Sequence, residues 1–230
     1  MFNAIGRIFR TPDLRRKLGF TLGIVALFRL GSFIPAPFVD FGNVQQCLAA
    51  NAAAGATGLY DLVNLFSGGA LLQLSIFALG VMPYITATII VQLLRVVIPR
   101  FEALHKECQS GQAKLTQYTR YLTIALAILQ STTVITTARN GLLFQGCSVD
   151  VIPDGSFVTM ALMVITMTAG TGLIMWLGEL ITERGVGNGM SLLIFTSIAA
   201  SFPTALWSIA GGANGATNFI IMIAVIVVVI

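Results

Sequence analysis

Ala70–Leu94 reads ALLQLSIFALGVMPYITATIIVQLL. The run holds no Asp, Glu, Lys or Arg, and it exceeds the roughly 20 apolar residues that a helix needs to cross a bilayer's hydrocarbon core. Its one proline, Pro83, is compatible with a membrane helix, because neighbouring helices and local adjustments satisfy the backbone group that proline frees. The expectation is a membrane span over 70–94. The whole composition agrees: of 230 residues, 56% are hydrophobic and 10% charged, with a mean hydropathy of +0.89. A soluble domain carries roughly 25% charged residues to solvate its surface. That class is excluded.

Working outward, Leu18–Ile34 is an earlier span with one charge, Arg29, and Tyr121–Ala138 and Gly155–Gly178 are later ones. No charged residue occurs between Gly185 and Ile230, a run too long for one helix. The Gly211-Gly212-Ala213-Asn214-Gly215 stretch divides it into a fifth span, Gly189–Trp207, and a sixth starting near Thr217. That sixth run stays apolar from Phe219 to Ile230, which reads as a helix cut short and the chain as a fragment.

The cations orient these spans. Arg7, Arg10, Arg15, Arg16 and Lys17 precede the first, Arg95, Arg100, Lys106, Lys114 and Arg120 lie between the second and third, and Arg184 follows the fourth. Eleven cations thus share one side, the opposite side has only Arg139, and the thirteenth is Arg29. Positive charge concentrates in cytoplasmic loops, so the N-terminus is expected in the cytoplasm. The net charge of +4 is a topology signal, and no nucleic-acid partner is implied. No small-residue cleavage site follows the first apolar run, so no cleavable leader is expected.

Chemistry-bearing residues are few. His105 is the one histidine, on a cytoplasmic loop, and no nucleophile, metal or phosphate motif is present, so an enzyme is not expected. Three cysteines make no disulfide scaffold. Cys47 and Cys147 share the outer side, which allows a disulfide or two buried thiols. Arg29 is expected to snorkel to the outer interface, near Ile34. Glu179 and Glu183 are expected at a solvated helix end. Val81 and Ile85 share one helical face, continued by Thr88 and Gln92; ordinary packing is favoured over a passage lining. In the long outer loop, Pro35–Gly69, residues Leu59, Leu62, Val63 and Phe66 form one apolar face before Ser67-Gly68-Gly69. By pattern alone, a surface helix is favoured over a re-entrant one.

Several stretches carry more specific information. Phe66-Ser67-Gly68-Gly69-Ala70, followed by Ser75–Ala87, resembles the second helix of the SecY family, the channel subunits of bacterial protein translocases. Phe28-Arg29-Leu30-Gly31-Ser32-Phe33-Ile34-Pro35 is similar to that family's first helix, and Gln117-Tyr118-Thr119-Arg120-Tyr121 to its entry into the third. Met175-Trp176-Leu177-Gly178-Glu179 and Ile181–Gly189 resemble its turn between the fourth and fifth. The likeness runs in order along the chain and is closest to actinobacterial members.

The resemblance implies an all-α, polytopic helical membrane protein. Residues 1–210 would form the first five-helix half of a ten-helix clamshell, and 211–230 the hinge loop and start of the sixth helix. Val81, Ile85 and Ile194 match positions of an apolar pore ring. Leu59, Tyr60, Asp61, Leu62, Val63, Asn64, Leu65, Phe66, Ser67, Gly68 and Gly69 match a re-entrant plug helix, which reverses the surface-helix preference. Gln92 would lie at a lateral gate. The implied function is the passage of secretory polypeptides across the cytoplasmic membrane and the release of membrane segments into it. Implied partners are SecE, SecG, the SecA motor ATPase, the ribosome, signal peptides, unfolded secretory polypeptides and membrane lipid; no cofactor or metal is implied. Two departures stand out: Val81 occupies a position where isoleucine is common, and Cys108 one where glycine is usual. The alternatives are a secondary transporter for a small solute and a structural insertion partner.

Overall fold

The computed structural model describes residues 12–54, 64, 67–106, 108–143, 147 and 149–210. Seven helices stand among them: α1 Pro12–Phe33, α2 Phe41–Ala54, α3 Met82–Val97, α4 Pro99–Lys106, α5 Cys108–Arg139, α6 Phe157–Arg184 and α7 Gly189–Ala210. The first, third, fourth and fifth expected spans fall on α1, α5, α6 and α7. The expected hinge loop and sixth helix, 211–230, lie outside the described residues, as do the side chains of His105 and Cys108.

The second expected span is corrected. Residues 68–81 form a chain of turns, and only Met82–Val97 is helical. The physical reason is local. Pro83 sits in the first turn of α3, where a missing N–H costs nothing because that group has no intrahelical acceptor. Before it, Leu74 (φ 46°) and Gly80 (φ 56°) adopt left-handed backbone, which an α-helix cannot contain. Pro83 therefore starts a helix instead of kinking one. At the other end, Ile98 precedes Pro99 and is extended (φ −105°, ψ 114°), which separates α3 from α4.

The outer loop also contains a helix that the sequence reading omits. Asp40 Oδ1 accepts from the backbone N–H of Gly42 (2.9 Å) and Asn43 (3.2 Å), capping the start of α2. α2 is tied to the α5–α6 connection: Asn43 Nδ2 donates to the Asp150 carbonyl (2.9 Å) and Asp40 N to that of Val151 (3.1 Å). A Cys47–Cys147 disulfide, with Cα atoms 5.3 Å apart, joins the same two segments.

α6 is the hub, packing against α1, α5 and α7, while α3 packs on α5. Two apolar cores result. One gathers Val44, Cys47, Leu74, Ile135, Met163 and Met167 beneath α2; the other gathers Ile24, Phe28, Phe77, Val81, Ile174, Ile181 and Leu193. Outside them many large apolar side chains are exposed, among them Leu30, Leu93, Leu129, Ile165 and Trp176. Gly111–Arg139 and Phe157–Arg184 are each long and apolar enough to cross a membrane. Hydroxyls on these helices turn inward for acceptors, as Thr123 to the Thr119 carbonyl (2.7 Å) and Thr171 to that of Met167 (3.2 Å). This back-bonding suits a medium without water.

Candidate functional site

The turn segment 67–81 runs through the interior, and nearly all of it is buried: Leu74 and Ser75 are fully inaccessible, and Ala70 and Ala78 are 1% exposed. Non-helical backbone at this depth requires protein partners for its polar groups. They are present. Asn64 and Ser67 cap the first turn, with Asn64 Oδ1 accepting from Leu72 N (3.1 Å) and Ser67 Oγ from Leu71 N (3.0 Å). Gly69 N donates to the Asn64 carbonyl (3.0 Å). Further on, Ile76 N donates to the Ile34 carbonyl (3.0 Å) and Ala36 N to that of Leu74 (2.9 Å), flanking an antiparallel bridge between Pro35 and Ser75.

Arg29 holds the base of this segment. Its Nη1 donates to the Gly68 carbonyl at 2.6 Å, and its guanidinium lies 5.2 Å from the centroid of the Phe33 ring. The snorkelling expectation is corrected: an inward partner was available, and a guanidinium in hydrocarbon takes it. Glycines admit the segment on two sides. A Cβ on Gly170 of α6 would collide with the Ile76 carbonyl oxygen, and one on Gly31 of α1 with the Phe77 ring. Phe77 in turn stacks on Phe28, with centroids 5.9 Å apart.

The segment ends in the second core. Val81 (4% exposed) belongs to that core, and Ile85 from α3 and Ile194 from α7 pack against it. The three expected ring residues thus belong to this core, as Val81 does, or border it, as Ile85 and Ile194 do. Gln92 is exposed on α3. Of the expected plug residues, Ser67, Gly68 and Gly69 begin the buried turns and half-buried Asn64 bonds to them; Leu59, Tyr60, Asp61, Leu62, Val63, Leu65 and Phe66 lie outside the described residues.

One polar element was missed by the sequence reading. Glu179 does not end in solvent. It receives a two-pronged bond from Arg120, Nε to Oε1 at 2.8 Å and Nη2 to Oε2 at 2.6 Å, which fastens α5 to α6. Arginine's planar fork matches a carboxylate in this way. Arg120 and Glu179 each stood in a quoted motif, but 59 residues apart, and only the helix pairing joins them.

Helices of membrane-spanning length, arranged about a buried irregular segment, define a multi-pass helical membrane protein. The family model described as SecY matches residues 75–230. The protein translocase subunit SecY of Streptomyces coelicolor is 64% identical over 211 residues, covering 91% of this chain and 48% of the relative. The corresponding subunit of Micrococcus luteus is 66% identical over 206 residues (90% and 47%), and that of Mycobacterium bovis 57% identical over 230 residues (100% and 52%). This chain belongs to the SecY family, and it spans about half the length of these relatives. Two solved structures share the fold at 18% identity and a TM-score of 0.54. One is a protein-conducting channel, of which this chain covers 38%, and the other is Sec61 in the canine ribosome–channel complex, of which it covers 39%; each match covers 86% of this chain.

Proposed function

We propose that this chain is the first half of the channel subunit of a cytoplasmic-membrane protein translocase, with its N-terminus in the cytoplasm. Secretory polypeptides would cross through its waist, and apolar segments would leave sideways. The observation that supports the reading is that Val81 lies in one apolar core below the buried turns and that Ile85 and Ile194 pack against that same core. Branched aliphatic side chains can close a narrow passage by dewetting, yet they hold no specific bond to a passenger. Residues 59–69 would serve as the plug, with the Gly68 carbonyl held by Arg29, and Gln92 would border the lateral gate. Residues 211–230 supply the hinge and the start of the second half. SecE, SecG, SecA, the ribosome and signal peptides are the partners that go with this role. Family membership displaces the small-solute transporter.

The test places a photo-crosslinkable residue at Ile85 of the full-length subunit, with Leu93 (61% exposed) as control, and stalls a secretory protein part-way through export in cells. Adducts to the passenger from Ile85 and none from Leu93 are expected. Export that continues with no adduct from Ile85 would remove the waist assignment.

A further inference from the structure

Between α5 and α6 lies an apolar cavity of about 660 Å³, open along one side. Its α5 wall is built by Ile124, Ile128, Thr132 and Ile135, three or four residues apart and so on one face. The next residue of that stripe is Arg139, the single cation on its side of the predicted topology. Arg139 is exposed, and its Nη1 donates to Met160 Sδ (3.4 Å), itself part of the α6 wall. A thioether is a weak acceptor. Arg139 also lines an adjoining polar cavity together with Asp150, yet among the described residues no carboxylate pairs with it.

We propose that this groove is a phospholipid site, with an acyl chain along α5 and α6 and an anionic headgroup on the Arg139 guanidinium. Three features favour a lipid. The lining on α6 runs from Phe157 to Gly172, about 22 Å at helical rise, against roughly 15 Å for one leaflet of the hydrocarbon core. The cation stands beside the end of the groove, bonded to Met160 of its wall and one turn beyond Ile135, while the groove wall itself is almost entirely apolar. A phosphate offers the paired acceptor oxygens that a guanidinium fork matches, as the thioether does not. A packed protein helix would instead cover Arg139 and require a carboxylate for it.

The test uses the full-length subunit in vesicles of mixed phosphatidylglycerol and phosphatidylcholine. A diazirine side chain replaces Ala161 in the groove wall or, as control, Leu129, which is exposed on α5 and outside the groove. Adducts are then weighed by mass spectrometry. Phosphatidylglycerol adducts are expected to exceed its share of the bilayer at Ala161 only. Arg139→Gln should reduce that excess about fivefold, the scale of one arginine near an anionic headgroup. Gly172→Leu should abolish it, and because a Cβ there meets nothing within 4 Å, the fold should survive. Equal lipid capture at both positions, untouched by either variant, would reduce the groove to ordinary annular surface and overturn the site. A peptide adduct at Ala161 would overturn it in favour of a protein occupant. Absence of lipid at both positions would overturn it together with the membrane placement of these helices, on which it rests.

Discussion

Arg29 sets two costs against each other. An arginine within a span is unfavourable by about 2.5–3.5 kcal/mol on insertion scales. Its 2.6 Å bond to the Gly68 carbonyl returns roughly 1.5–3 kcal/mol, as bonds to charged groups do, and the Phe33 ring adds a smaller share. The balance is near zero for the whole molecule but one-sided for the turn it holds. Arg29→Met should therefore change the thermal midpoint of the purified subunit little, while leaving the Gly68 carbonyl unpartnered. Hydrogen exchange is expected to rise about tenfold at the Gly69 and Leu71 amides. Unchanged exchange there would mean that Asn64 and Ser67 hold the turn without Arg29. The guanidinium was legible in the sequence as costly. Its partner, 39 residues away at the end of a stretch read as a surface helix or a plug, was not.

Among the elements, the turns over 67–81 depend on the helices that flank them. Gly170 and Gly172 make the comparison, because both lie in α6 and differ in what faces them. Alanine favours a helix over glycine by about 1 kcal/mol, so Gly172→Ala, facing open space, should be neutral or stabilising. Gly170→Ala adds a methyl against the Ile76 carbonyl, which is backbone and has little room to retreat. A loss of about 2–3 kcal/mol is expected, seen as a lower thermal midpoint; equal behaviour of the two variants would mean that the segment is not clamped there. The Arg120–Glu179 fork joins α6 to a different neighbour, α5, nearer the C-terminal end of α6. Reversing either charge alone should lower the midpoint, and Arg120→Glu with Glu179→Arg should recover part of the loss, on a scale of about 1 kcal/mol for a pair with side chains 40% and 20% exposed. No recovery would assign the effect to packing. Hydrophobic content identified α5, α6 and α7 in the sequence because each contains a long uncharged, largely apolar run. It misread 70–81 for the same reason: burial inside protein and burial in lipid select the same side chains. The distinguishing marks were Pro83 at a first turn and Gly80 just before it, local signals that run length overrides.

For the whole molecule, the disulfide, the Asp40 cap and the bonds to Asp150 and Val151 gather one end under α2. The other end carries the α3–α5 connection and the α6–α7 turn, where Asn188 Oδ1 caps α7 by accepting from Met190 N (3.1 Å). Eleven of the thirteen cations in the sequence belong to this second end or to the stretch ahead of and within the start of α1. That separation was legible from charge counting, because loop charge acts on topology without needing a specific contact. The contacts that close the first end join segments about 100 residues apart, and counting cannot find them. If the charge reading governs, the α2 end faces outward and the α4 end faces the cytoplasm. Single cysteines test this in intact cells, in a Cys108→Ser background with the outer pair left bridged. Val149→Cys should react at once with a membrane-impermeant thiol reagent, and Ala103→Cys on α4 only after the membrane is opened. Moving the balance should then move the topology: neutralising the five cations ahead of and within the start of α1 ought to raise labelling at Ala103→Cys in a fraction of molecules, because the remaining six still favour the original orientation. Prompt labelling of Ala103→Cys in the otherwise unaltered chain would reverse the orientation, and with it the side from which a polypeptide could enter the waist.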